Sequence, residues 1–239
     1  MAHAPRFKIC GLTSIADAQL AADAGAWALG VILWEGSPRR CAPEQAELIA
    51  RTMRRRAFVC GVFHNTPLDD VLETIDALGL TMAQLHGDEG PAFCDEVRRR
   101  TGVPVIKAAR VLQASDVQDL GRFHHVDYHM LDTHRPGIPG GTGETFDWSL
   151  ASARRSKLPL ILSGGLDAAN VGAAIAAVRP FAVDVASGTE AGPGIKDPAK
   201  ITAFADAVRA TVADAEHVPV AGAAQAAEPE PAPAAESAA

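Results

Sequence analysis

Lys8 and Cys10 stand two residues apart in one short apolar segment, and Gln84 and His86 repeat that spacing in another. Lys107, Asp132 and Asp184 lie toward the ends of three further segments of the same kind. In an extended strand, residues two apart share a face and are separated by about 7 Å. A cation at that distance favours thiolate over a thiol's unperturbed pKa of about 8.5, which suits a base or a nucleophile. Taken singly, a polar residue at a strand end marks only where solvent begins. On five strands whose interiors are otherwise apolar, the set points to a site. Arg39 and Arg40 offer bidentate donors for a carboxylate or phosphate, or else form a solvated pair. Cys60 and Cys94 read as small buried hydrophobes, and no role is assigned to Cys41.

Glycines form a second constellation. Ser163-Gly164-Gly165 closes one apolar segment, with Asn170 before the next helical pattern, and Ala186-Ser187-Gly188 closes another. Backbone N–H groups in such turns can cradle phosphate, although glycine also serves simply to make a tight turn. A third stretch, Pro139-Gly-Gly-Thr-Gly-Glu-Thr145, lacks the Gly-Lys-Ser/Thr ending of a P-loop and reads as a substrate loop or a flexible connector. His125 and His129 have a helical ligand spacing but straddle the entry to a strand, at the end opposite the other polar residues, so no metal is expected.

The elements that must position these groups alternate from end to end. Eight β-rich apolar runs, at 7–12, 28–33, 58–63, 82–87, 104–111, 128–133, 159–165 and 181–188, start 21 to 31 residues apart, room for a strand, a helix and two short connections. Ser14 to Asp17 and Thr66 to Asp69 resemble capping boxes with Asp in the last position. Pro43, Pro67 and Pro198 suit first helical positions, the last behind Asp197, and Gly25, Gly79 and Gly102 suit helix ends. Eight such units favour one α/β domain closed as a (β/α)8 TIM barrel over 1–216. A doubly wound dinucleotide-binding sheet would need G-x-G-x-x-G after its first strand, where Cys10-Gly-Leu-Thr13 stands. Residues 217–239 are rich in Ala, Pro and Glu with no aromatic residue, and a disordered tail is expected there.

Composition narrows the function. The chain has 239 residues, 48% of them hydrophobic and 21% charged, with a formal net charge of −7. That charge argues against non-specific nucleic-acid binding. No apolar run approaches a membrane span or a secretory signal, and four scattered cysteines without a C-x-x-C pair suggest free thiols in the cytoplasm. No apolar surface stripe is left over, so a monomer is expected.

These residues closely resemble the phosphoribosylanthranilate isomerases of tryptophan biosynthesis. The matching segments are Lys8-Ile-Cys-Gly11, Ser37-Pro-Arg39, Gly61-Val-Phe63, Gln84-Leu-His-Gly-Asp88, Leu131-Asp-Thr133, Gly140 through Trp148, Ser163-Gly-Gly165, and Val183 through Glu190 running into Pro193-Gly-Ile-Lys-Asp197. The resemblance implies a cofactor-free and metal-free aldose–ketose isomerase acting on a small phosphorylated substrate. The implied reaction is an Amadori rearrangement of N-(5-phosphoribosyl)anthranilate to 1-(2-carboxyphenylamino)-1-deoxyribulose 5-phosphate. It also implies Cys10 as base and Asp132 as acid, the latter holding its proton through burial or a neighbouring anion. Arg39 matches the carboxylate-binding arginine. Gly164, Gly165, Ser187 and Gly188 match the phosphate cradle, Gly141, Thr142 and Gly143 the substrate loop, and Gln84, His86 and Asp184 the lining. Val31-Ile-Leu-Trp34, His64 beside Asn65, Cys41 and the tail depart from the family pattern. A related barrel acting on a histidine-pathway aminoaldose would be expected to carry a carboxylate in place of Cys10, and a silent ligand-binding barrel would have no need of an acid and a base.

Overall fold

The computed structural model describes residues 5–132 and 147–216, with side chains described to residue 211. Eight parallel strands close into a barrel in sequence order. They are β1 (Arg6–Cys10), β2 (Ala28–Ile32), β3 (Phe58–Phe63), β4 (Met82–Leu85), β5 (Val105–Arg110), β6 (Tyr128–Asp132), β7 (Leu160–Ser163) and β8 (Ala182–Val185). Every expected run holds a strand, and most strands stop one to three residues earlier than the apolar pattern does. Left-handed glycines account for two of the early stops: Gly11 at φ 77° and Gly164 at φ 94° turn the chain out of the ladder.

Among the described residues, seven helices cover the barrel: α1 (Ile15–Asp23), α2 (Pro43–Met53), α3 (Leu68–Leu78), α4 (Pro91–Thr101), α5 (Ala114–Asp119), α6 (Val171–Val178) and α7 (Pro198–Glu216). Between β6 and β7 the described residues form a 3-10 segment, Trp148–Ala153, where a full helix was expected. Ser14 caps α1 by accepting from the Asp17 amide at 3.1 Å. Asp197 caps α7, accepting from the Ala199 amide at 2.9 Å. Thr66 does not cap: α3 begins one residue later than expected, behind Pro67, whose extended backbone ends the preceding loop. None of these helices is long and apolar enough to cross a membrane.

The strands divide cleanly by parity. Ile9, Leu29, Val59, Leu85, Leu131 and Val183 pack outward with helix residues such as Ile49, Val71 and Phe204. The other register forms a second, interior core of Ala28, Cys60, Met82, Ile106, Ala108, Met130, Ile161 and Ala182. At the N-terminal end this interior is shut by aromatic rings. Trp27 meets Phe58, Tyr128 and Phe181 edge-on with centroids 5.7, 5.3 and 5.4 Å away, and the Arg6 guanidinium lies 4.9 Å from the Phe181 ring. Toward the C-terminal ends of β1, β4, β6, β7 and β8 the inward register carries polar residues, Cys10, Gln84, Asp132, Ser163 and Asp184.

Candidate active site

Lys8, on β1, is completely buried inside the barrel. Its Nζ donates to Asp184 Oδ1 on β8 at 2.9 Å, and Ser163 Oγ on β7 donates to Asp184 Oδ2 at 3.0 Å. The Lys8–Asp184 pairing follows from register, since the two residues are direct partners across the β1–β8 ladder. Cys10 lies one inward position farther along β1, beside Gly30 of β2. A Cβ at Gly30 would come within 2.7 Å of Cys10 Sγ and 3.0 Å of Lys8 Nζ, so only glycine leaves room for both groups. Gly30 was not singled out from the sequence; a glycine inside an apolar strand is the signal that could have found it.

The expectation that Lys8 makes Cys10 a thiolate is corrected by the surroundings. Burial pushes the thiol pKa up, and this outweighs the opposing pull of Lys8, whose charge is matched by Asp184. Lys8 itself loses by burial yet is held well above its ordinary value by Asp184. The remaining thiols are raised by burial as well, Cys41 to about 11 and Cys60 and Cys94 to about 12. At pH 9, close to the ordinary thiol value, the unfolded chain with its four free cysteines should carry two or more thiolates, while Cys41, Cys60 and Cys94 carry almost none in the folded chain and Cys10 is shifted the same way. Thiolate absorbance at 240 nm, native against denatured, checks this; a full thiolate in the native protein at pH 8 would reject it. Because the unfolded state then binds fewer protons, stability falls as pH rises from 9 toward 12.

On the opposite wall, Gln84 Nε2 lies 2.8 Å from His86 Nδ1, and His86 Nε2 lies 2.9 Å from Asp132 Oδ2. The His86 amide donates to the Phe63 carbonyl at 2.9 Å, which extends the direction of β4 past its last ladder residue and brings the ring over β6. Gln84 and Asp184 are almost wholly buried and meet other side chains. Lys107 does not join them. It sits on the outward register of β5, where Nζ donates to Glu89 Oε2 at 2.8 Å and to the Gly87 carbonyl at 2.7 Å and lies 5.6 Å from the centre of the Phe123 ring. Burial opposes the Glu89 charge, but Lys107 and the Asn65 amide hold that carboxyl below its ordinary value. This pair ties the loop after β4 to the outer layer.

Arg39 reaches the mouth from the loop after β2, and its Nε donates to both Glu190 oxygens, at 2.8 and 3.0 Å. Glu190 is buried and also accepts from Lys196 Nζ and the Gly194 amide, both at 3.3 Å. Burial raises the Glu190 pKa, yet Arg39 and Lys196 bring it below the ordinary value, so it is a carboxylate. Glu190 and Lys196 belong to a small antiparallel hairpin, Glu190–Gly192 with Ile195–Lys196. Gly11 makes the crossing possible, because a Cβ there would meet Arg39 Cδ at 2.9 Å. Sequence inspection gave neither Glu190 nor Lys196 a role, since their partner Arg39 lies 151 residues from Glu190.

Gly164 and Gly165 turn at φ 94° and 64° after β7. Asn170 fixes that turn, donating to the Gly165 carbonyl at 2.8 Å and accepting from the Asp167 amide at 2.9 Å. Ser187 and Gly188 form a 3-10 turn directly after β8. A Cβ at Gly188 would fall 2.1 Å from the Leu166 carbonyl oxygen, so the two glycine turns rest on one another. Gly141, Thr142 and Gly143 lie outside the described residues. His129 is buried on the outer register of β6, its Nε2 3.0 Å from the Phe123 carbonyl, and no group of three or more metal-ligating side chains occurs among the described residues.

A family model for N-(5'-phosphoribosyl)anthranilate isomerase matches residues 7–207. The chain belongs to that family. Its reaction is a step of tryptophan biosynthesis. An isomerase from Pseudomonas putida is 47% identical over 206 residues, covering 85% of this chain and 97% of that one. The Thermotoga maritima isomerase structure superposes with a TM-score of 0.79 at 38% identity, covering 86% of this chain and 99% of that one, and a further structure describes that protein as dimeric. An isomerase solved with reduced 1-(o-carboxyphenylamino)-1-deoxyribulose 5-phosphate superposes at 0.75 with 36% identity, over 86% of this chain and 99% of that one. Cys10, Arg39, Asp132 and both glycine turns all fall inside the matched range.

Proposed function

We propose that this isomerase rearranges N-(5-phosphoribosyl)anthranilate with Asp132 as general acid and Cys10 as general base. The observation that carries the assignment is that β1 and β6, three strands apart around the barrel, deliver a thiol and a carboxyl on the inward register at the same rim. Asp132 protonates the furanose ring oxygen as the C1–O bond breaks, leaving an iminium ion at C1. In the form of the enzyme whose proton has left Cys10 and sits on Asp132, the Cys10 thiolate then removes the C2 proton, the C–H electrons form C1=C2, and the iminium electrons return to nitrogen. The resulting enolamine takes a proton at C1 and loses one from its C2 hydroxyl to give the ketone. A thiol whose pKa is raised by burial is mostly protonated, but the thiolate it forms is the stronger base for a carbon acid.

The phosphate of the substrate fits the turns at Gly164, Gly165, Ser187 and Gly188, since glycine turns after the seventh and eighth strands of such barrels commonly receive phosphate through backbone N–H groups. The anthranilate carboxylate fits Arg39: Glu190 holds its Nε, and its Nη groups make no hydrogen bond among the described residues. Arg39→Ala should raise KM at least tenfold with little change in kcat, because this contact is made in ground and transition states alike. An unchanged KM in steady-state assays would remove Arg39 from the carboxylate site.

The protein is further read as a cytoplasmic monomer. Among the described residues the exposed large apolar side chains, Leu20, Trp34, Leu112 and Ile195, stand on separate segments and make no continuous stripe. The test of the activity is a fluorescence assay in which phosphoribosylanthranilate is made in place and its disappearance followed, with Cys10→Ala alongside. A folded wild-type protein without turnover would overturn the proposal.

A further inference from the structure

Lys196 enters the mouth from the hairpin after β8, and its side chain is wholly buried. Nζ donates to the Ala186 carbonyl at 2.9 Å and to Glu190 Oε1 at 3.3 Å. Both contacts lie against the end of β1. Val185 is the ladder partner of Ile9, so Ala186, the next residue, stands at the level of Cys10. Glu190 Oε1 is 3.4 Å from where a Cβ on Gly11, the residue after Cys10, would stand. An ammonium has three hydrogens to donate, and here two find acceptors among the described residues. A buried charge with incomplete partners is costly, and this one is kept beside the reacting thiol.

Charge matching separates Lys196 from Lys8. Lys8 faces Asp184 at 2.9 Å, a carboxylate that no other cation shares among the described residues. Glu190 is divided between Lys196 and Arg39, whose Nε lies nearer, at 2.8 Å against 3.3 Å. Two cations therefore draw on one carboxylate, and positive charge is left over at the rim where Cys10 must become an anion.

We propose that Lys196 is a positioning residue for the base, its buried ammonium holding the Cys10 thiolate once it forms, with Glu190 fixing the lysine in place. The proposal rests on Cys10 being the base of the reaction above. Catalysis needs the form in which Cys10 is ionised, and a cation beside the sulfur raises the share of that form. One hairpin thereby serves two groups, since Glu190 holds Arg39 for the substrate carboxylate and Lys196 for the thiolate. The ionisable groups facing Cys10 are Lys8 on its own strand, Asp184 on β8, the Cys60 thiol on β3 and Lys196, which Glu190 and Arg39 face in turn. Burial raises the Cys10 pKa and lowers that of Lys196. Lys8 and then Lys196 oppose the first shift; Glu190 and then Cys10 oppose the second.

The test is the ionisation of Cys10 in the full chain, followed by thiolate absorbance at 240 nm as the difference between each protein and its Cys10→Ala counterpart. Lys196→Met keeps the bulk of the side chain without its charge, and leaves Glu190 with Arg39 and the Gly194 amide. In this variant Cys10 is expected to ionise about one pH unit higher than in the wild type, or more, as for the loss of a neighbouring opposite charge. Near neutral pH, kcat should fall about tenfold, the share of thiolate lost per pH unit, and the alkaline limb of the activity profile should move up with the thiol. An unmoved thiol titration would overturn the proposal. So would a loss of kcat with the alkaline limb in place, which is what a merely structural part produces. Should Lys196→Met not fold, the coupling is read from its other end. In Cys10→Ala the Lys196 ammonium, followed by carbon NMR of labelled lysine and assigned by its loss in Lys196→Arg, is expected to lose its proton at lower pH than in the wild type; an unchanged titration would overturn the coupling. A moved thiol titration in a folded protein without turnover would uphold the coupling and remove the isomerase assignment. Turnover with an unmoved titration would remove the coupling alone.

Discussion

Asp132→Asn is expected to lower kcat by about 10²–10⁴-fold, the usual contribution of a positioned general acid. Asparagine occupies the same volume and can still hydrogen-bond His86 Nε2, so the wall of the mouth keeps its shape while the proton destined for the ring oxygen is gone. KM should change little, because the groups assigned to the phosphate and carboxylate lie on other loops. Cys10→Ala should cost a similar factor for the complementary reason, and removing the sulfur introduces no clash. The two losses should not add, since acid and base act in one sequence of proton transfers and a step that lacks either is already slow. Near-wild-type turnover in either variant, measured by the coupled fluorescence assay, would reject that residue's role.

Lys8→Met is expected to destabilise the barrel by about 3–5 kcal/mol, the range for removing one partner of a buried ion pair. Lys8 is fully buried and Asp184 is 6% exposed at its side chain, so the carboxylate left behind would keep only the Ser163 hydroxyl. Against a total stability of about 5–15 kcal/mol for a domain, this is a large share, and urea denaturation should show the midpoint moving sharply down with an unchanged slope. The double variant Lys8→Met/Asp184→Asn should recover most of the loss: the amide carries no charge, and its oxygen still accepts from Ser163. If the single variant were as stable as wild type, the charge on Asp184 would not depend on Lys8, and the account of the barrel interior would be wrong.

Much of this was legible in the chain itself, for identifiable reasons. A strand of a parallel barrel is buried on both faces, so each of the eight appears as an apolar run punctuated by glycine or proline, and the runs alone order the fold. The i, i+2 spacing placed Lys8 with Cys10 and Gln84 with His86, because pleating fixes parity within one strand. The same burial hid which parity faces inward. In Val105-Ile-Lys-Ala-Ala-Arg110 no alternation distinguishes the two faces, and Lys107 falls on the outer one. The proton on Cys10 was also out of reach, since it turns first on burial in the closed barrel and then on Asp184, 176 residues from Lys8 in the chain and adjacent only through barrel closure. Glu190 escaped for a similar reason: its significance comes from Arg39 arriving over Gly11.

The ring of Trp27, Phe58, Tyr128 and Phe181 makes the barrel a vessel with one opening. Whatever enters must leave by the rim it came through, which in the proposed site means past the same arginine and the same glycine turns. Substrate and product therefore cannot occupy the vessel in tandem, and traffic through it is strictly one molecule at a time. Product accumulating in the cell competes for the doorway itself, so the flow this protein sustains depends on how quickly the next enzyme empties the space outside.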